Sequence, residues 1–134
     1  MKKARTLIAI AFVLAMLCSI GAAVANYTGH EESAVAGYPV SFDNYITSDK
    51  KNCGASTSAG NSVVWASVSV SYYWYDPIGD HLYSNGRGNG SQGGAGAGGP
   101  ELTGALYYYK IISDHVATYQ NMGCYCNDLT TIAP

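Results

Sequence analysis

Residues 52–75 carry no charge, and inside this stretch of 24 residues Ser62–Tyr75 alternates with a period of two. Val64, Ala66, Val68, Val70, Tyr72 and Trp74 fall on one side. Trp65, Ser67, Ser69, Ser71, Tyr73 and Tyr75 fall on the other. A helix would need apolar residues three and four apart, whereas alternating β-branched and aromatic side chains fit a strand. At about 3.3 Å per residue such a strand is long enough to bend or bulge partway. It contains no proline and no gatekeeper charge, so it is also a template for edge pairing unless other strands cover it.

Asp76-Pro77-Ile78-Gly79 ends this strand with the chemistry of a type I turn: the Asp carboxylate accepts backbone N–H groups and Pro presets φ. A short return strand is expected at His81–Tyr83. Upstream, Tyr38, Val40, Phe42 and Ile46 recur at even positions and predict a strand over Tyr38–Ile46, with Pro39 placing it near an edge. Downstream, Leu102–Ile112 is apolar on both faces and reads as a central strand. Ser113-Asp114 allows a bend, His115–Tyr119 resumes as strand, Asn121-Met122-Gly123 turns, and Cys124 begins the last ordered stretch. Three segments lack this patterning. Asn26–Ser33 reads as a flexible leader and Cys53–Asn61 as a polar loop. Residues 86–100 hold eight glycines in fifteen and are expected to form a flexible loop, because ordering so many glycines costs backbone entropy. The sum predicts an all-β domain over 26–134, a small antiparallel β-sandwich or open barrel of four to six strands, preceded by an N-terminal signal helix.

The N-terminus supplies that signal. Lys2, Lys3 and Arg5 form a positive start, Leu7–Ile20 is uncharged and apolar, and Ala23-Val24-Ala25 fits the small-x-small rule, so cleavage is expected before Asn26. The alternative is a retained anchor, since Leu7–Ala25 gives 19 uncharged residues. Cys18 follows Leu17 rather than a small residue, which argues against lipidation. The expected product is secreted, extracellular or periplasmic, with no stable membrane association after cleavage. Residues 26–134 hold four basic and nine acidic side chains, a net charge of −5, which excludes an electrostatic nucleic-acid binder. They contain only 17 Leu, Ile, Val and Phe against 12 Tyr, so the core must be thin and aromatic.

Three cysteines remain after cleavage. Cys124 and Cys126, two apart, share a strand face and would strain if bonded together. The expectation for an oxidising exterior is one disulfide from Cys53 to Cys124 or Cys126, leaving one thiol free or able to give a disulfide-linked homodimer. A soft-metal site of the three thiolates with His115 is the competing pattern. His30, His81 and His115 are scattered singly. Pairing Cys53 or Ser113 with His81 or His115 can be imagined, but no spaced catalytic, cofactor-binding or metal-ligating motif is present. Asp76, Asp80 and His81 read as turn and surface groups.

The aromatic runs carry the strongest functional pointer. Tyr72–Tyr75 and Tyr107–Tyr109 put rings on both faces of two strands. One face of each belongs to the core, and the other leaves Trp65, Tyr73, Tyr75, Tyr107 and Tyr109 as a candidate interaction surface for an extracellular protein or carbohydrate ligand. Cross-strand aromatic pairing that only stabilises the sheet is the structural counterpart. The sum of a signal, a Ser/Val strand ending in Tyr-Tyr-Trp-Tyr and a Gly-rich spacer looks like small secreted bacterial proteins. Tyr107–Tyr119, with Tyr-Tyr-Tyr followed by His115-Val116-Ala117-Thr118, faintly resembles part of the lactococcin-type secreted bacteriocins over about a tenth of the chain, and carries no site residue across. The sequence therefore supports a non-enzymatic binding module first. A self-assembling extracellular matrix or fibre protein comes next, and a bacteriocin-like effector third.

Overall fold

The computed structural model describes residues 26–134, so the signal segment expected at 1–25 lies outside the described residues. Eight strands follow in chain order: β1 (Tyr27–Val35), β2 (Tyr38–Ile46), β3 (Cys53–Ala59), β4 (Trp65–Asp76), β5 (His81–Gln92), β6 (Gly94–Gly98), β7 (Tyr107–Tyr119) and β8 (Met122–Ile132). They form two antiparallel four-stranded sheets, ordered β1-β2-β3-β6 and β5-β4-β7-β8. The described chain is all-β, as its alternation requires, but with eight strands rather than four to six. The sheets do not merge into a barrel.

The extra strands lie where the sequence predicts loops. The leader is β1, paired along its length with β2 through a two-residue turn. Ala36 (φ 49°) and Gly37 (φ 81°) both take positive φ there, which matches the twist of a hairpin. The polar segment after Cys53 is β3, seated between β2 and β6. The glycine-rich stretch is not a flexible loop. Residues 86–92 complete β5, which meets every residue of β4 from Trp65↔Gln92 to Asp76↔His81. Gly93, at φ 78°, then turns the chain across to β6 in the other sheet. The entropy cost of ordering glycine is offset by a template that presents an unbroken ladder of backbone partners. Small residues add a second contribution, since alternate glycines leave the strand smooth.

β4 lies at the centre of the second sheet, between β5 and β7. Its even residues point inward, and Ala66, Val68, Val70 and Tyr72 are buried. The interior separates into two apolar clusters. One contains Ile46, Cys53, Val68, Val70, Tyr72, Tyr108 and Ile111; the other contains Val35, Val40, Phe42, Val64, Ala117 and Cys126. Between them Asn44, Thr57, Ser113, His115 and Thr131, all buried, form a polar belt drawn from four strands.

The belt explains why the expected disulfide is absent. Cys53 belongs to the first cluster and Cys126 to the second, with half-buried Cys124 packed against the latter; all three thiols are free. A bridge from Cys53 would have to cross the belt. Burial pushes the Cys53 thiol upward, and burial with the neighbouring Glu31 carboxylate pushes Cys126 to about 11, so neither is a ready thiolate. Among the described residues no three His, Cys, Asp or Glu side chains converge as a metal site.

Candidate functional site

The aromatic surface sits where β4 and β7 end together. Up to Tyr73↔Lys110 their pairing is regular, but the next partner of Trp74 is Tyr108, so Tyr109 is an extra residue in a bulge. Bulges re-aim side chains and increase local twist. Here Tyr109 and Lys110 both reach Tyr73. The Tyr109 ring centroid lies 6.3 Å from that of Tyr73, and Lys110 Nζ is 5.4 Å from the same ring centre. Tyr75 meets Tyr107 edge to face at 5.6 Å, within the range in which aromatic pairs attract. All four rings are half-buried, each keeping part of its surface open.

Polar groups surround these rings. The Tyr75 hydroxyl donates to Asp80 Oδ1 at 2.5 Å, and that bond, with the carboxylate's charge, raises the Tyr75 pKa. Lys50, held at φ 60° in the turn before β3, places Nζ 5.6 Å from the Tyr107 ring and 5.9 Å from Tyr27, and donates to the Pro134 carbonyl. The Asp76 turn forms as its sequence predicts: Oδ1 accepts the Ile78 and Gly79 N–H groups at 2.9 and 3.1 Å. That turn lifts Ile78 and Leu82 into solvent, 85% and 61% exposed.

Four of the five aromatics expected on the surface are thus brought together: Tyr73, Tyr75, Tyr107 and Tyr109. Trp65 is not with them. It lies eight residues back along β4, about 26 Å away at strand rise, and its ring covers Gly90 so closely that a Cβ there would meet it at 2.8 Å. Alternation alone missed two neighbours. Trp74 and Tyr83 stack at 5.4 Å and 13° on the opposite face of the hairpin, with His81 edge-on to Tyr83 at 4.5 Å. Alternation places Trp74 in the core, yet it is only half-buried and Tyr83 is 41% exposed.

The imagined Ser–His pairing does form, inside the polar belt. His115 Nε2 is 2.8 Å from Ser113 Oγ and Nδ1 is 2.9 Å from Thr57 Oγ1, whose hydroxyl also reaches the Ser67 carbonyl at 2.8 Å. Asn44 Nδ2 donates to Ser113 Oγ and the Leu129 carbonyl, while Asn44 Oδ1 accepts from Thr131 Oγ1 at 2.6 Å and Gly29 N at 3.1 Å. Ser113, His115 and Thr57 have no solvent exposure. The arrangement ties the two sheets and satisfies buried polar groups, as such groups require. Burial lowers the His115 pKa, opposed by the more distant Asp43, Asp114 and Glu31 carboxylates. His30 is the contrasting exposed case: Asp43, 2.5 Å from Nδ1, and Glu32 raise its pKa. His81 is exposed and meets Tyr83 edge-on, as described above.

In comparisons with known proteins, no family model matches the chain, no curated protein matches its sequence and no solved structure matches its fold.

Proposed function

We propose that this chain is an exported, non-enzymatic binding domain that holds an extracellular carbohydrate or protein ligand against Tyr73, Tyr75, Tyr107 and Tyr109. One observation carries the reading. Four half-open tyrosine rings are gathered on a single outer sheet end and held there by strand backbone and a bulge. Rings fixed on strands lose little conformational freedom on binding, and each offers an apolar face with a polar tip. Export is supported by the three-part pattern of residues 1–25. Glycan-array and pull-down binding by the 26–134 chain tests the reading against Tyr73→Ala and Tyr75→Ala. Loss of about tenfold or more in affinity, the scale of aromatic hot spots, is expected for a true ligand. If neither variant changes any interaction, the surface is ordinary sheet packing.

A second reading, self-assembly, is favoured by the free outer edge of β5, twelve residues paired on one side only. A chain that stays monomeric at millimolar concentration without a thioflavin response excludes it.

A further inference from the structure

Of the four lysines and arginines in 26–134, three stand at the tyrosine end. Lys110 Nζ lies over Tyr73, and Lys50 Nζ lies between Tyr27 and Tyr107. Lys51 Nζ is anchored on the Gly104 and Leu106 carbonyls beside Tyr107. None of the three lysines makes an ion pair with a side-chain carboxylate among the described residues, although Asp49 acts electrostatically on Lys51. Among the described residues the only ion pairs are those of His30 with Glu32 and Asp43, on the other sheet. Asp49, Asp76 and Asp80 stand at the same end and keep their charge: Asp49 accepts the Thr47 hydroxyl and the Lys51 N–H, Asp76 accepts its own turn N–H groups and Asp80 accepts the Tyr75 hydroxyl. Lys110 has no hydrogen-bond or ion-pair partner among the described residues; its ammonium meets only an aromatic face. Within residues 26–134, of net charge −5, Lys110 is therefore the ammonium at this end with no hydrogen-bond or ion-pair partner among the described residues, and it lies over a half-open tyrosine ring. Lys50 and Lys51 each donate to backbone oxygens.

Resting on the tyrosine-face reading, we propose that the ligand is an anionic polysaccharide, a uronic-acid chain whose sugar faces lie on the Tyr rings and whose carboxylates meet Lys110 and Lys50. Tyrosine offers the flat C–H-binding surface a pyranose needs, and the lysines supply the charge that a neutral glycan would leave unused. The shape argues for a polymer. The rings line an open sheet surface and not an enclosed pocket, with Tyr73 and Tyr75 about 6.6 Å apart along β4 at strand rise, so a ribbon of sugar rings can lie across several of them.

Affinity electrophoresis of the 26–134 chain in polygalacturonate tests this, with the fully methyl-esterified polymer as the uncharged counterpart and poly-glutamate as the acidic polypeptide. Retardation by polygalacturonate is expected, weakened more than tenfold by esterification and strongly by salt. Lys110→Gln should weaken it about three- to fivefold, the scale of one exposed charge pair, with Lys110→Arg restoring it. Tyr73→Ala should weaken binding to polygalacturonate while leaving the circular dichroism of the fold unchanged. Equal binding to the esterified polymer, or no effect of Lys110→Gln, overturns the anionic class and leaves the tyrosine surface standing. Binding of poly-glutamate as tight as polygalacturonate overturns the polysaccharide class. No retardation by polygalacturonate overturns the inference, and loss of all Tyr73 dependence overturns the surface reading beneath it.

Discussion

β5 and β7 flank the same strand, both antiparallel to it, yet they share almost no chemistry. β7 is paired on both edges and buries Tyr108, Ile111, Ser113, His115 and Ala117. β5 is paired on one edge, has no apolar side chain from Ser84 to Gln92, and is exposed along nearly its whole length. β7 is a strand because its side chains need an interior. β5 is a strand because β4 offers it an uninterrupted ladder and its glycines and serines offer no alternative contacts. Strand formation and core formation are separable here, and that separation can be broken experimentally from either side.

The largest break is on the β7 side. Ile111 is fully buried beside Val70, Tyr72 and Tyr108. Ile111→Ala removes methylenes from a packed core and is expected to cost about 2–5 kcal/mol in urea unfolding. Leu82→Ala on β5, at a site 61% exposed, is expected to stay within about 0.5 kcal/mol. Comparable losses at the two positions would mean that β5 is packed, not templated.

The same contrast separates what the sequence shows from what it hides. β2 and β4 are legible because their alternation is driven by burial of one face. β7 is legible in two pieces, since Ser113 and Asp114 look like a bend when the register merely shifts there. In fact Ser113 is buried by its bond to His115, a pairing no spacing rule would select. β1, β3, β6 and the part of β5 beyond Tyr83 are hidden because their polar and glycine side chains carry no periodic signal, and their strand state comes from the backbone partners that neighbouring strands offer. The tyrosine cluster is readable up to Tyr75. Trp65 is misplaced with it because alternation gives the face of a residue and says nothing about distance along the strand. Tyr83 is missed because β5 gives no apolar pattern to extend past it. The disulfide expectation follows compartment chemistry, which is blind to the polar belt between Cys53 and Cys126.

A second prediction sharpens the β7 side through pH. Burial holds the folded-state pKa of His115 below its ordinary value near 6.5, so the unfolded chain takes up a proton before the folded one does. Stability is therefore complete above about pH 6.5 and falls as pH drops from there toward the folded pKa, by up to about 1.4 kcal/mol per pH unit. The groups facing the ring are Thr57 and Ser113 at its nitrogens, Phe42 at 5.3 Å, and Cys126 opposite in register. More distant Asp43, Asp114 and Glu31 moderate the shift. His30 works in the opposite sense. Its raised pKa stabilises the protonated form, a contribution lost as pH rises through the folded value. Urea midpoints between pH 7.5 and 5 in a His30→Ala background isolate the His115 effect. His115→Asn in that background should flatten the decline, and an unchanged decline would assign it to other groups.

The smallest effect on stability is expected on β5, where the consequence lies in association. An open edge twelve residues long invites strand addition, yet two of its donors are already bonded. Asn85 Oδ1 accepts the Gly86 N–H at 2.8 Å and Asn89 Oδ1 accepts the Gly90 N–H at 2.9 Å. Gly86 and Gly90 have the same parity, and in an antiparallel strand residues of one parity turn their backbone groups away from a given neighbour. Asn89 also reaches across to the other sheet, donating from Nδ2 to the Gly96 carbonyl of β6 at 3.1 Å. One side chain thus caps the exposed edges of both sheets on this side of the molecule, a polar form of edge protection. Asn89→Ala removes exposed hydrogen bonds and should cost no more than about 1 kcal/mol, while amide exchange speeds up at Gly90 in β5. With Asn85→Ala added, the uncapped donors should let a second copy pair along β5, read as concentration-dependent dimer in sedimentation equilibrium. A double variant that remains monomeric would show that the glycine edge needs no guard, and that its lack of apolar side chains alone keeps partner strands away.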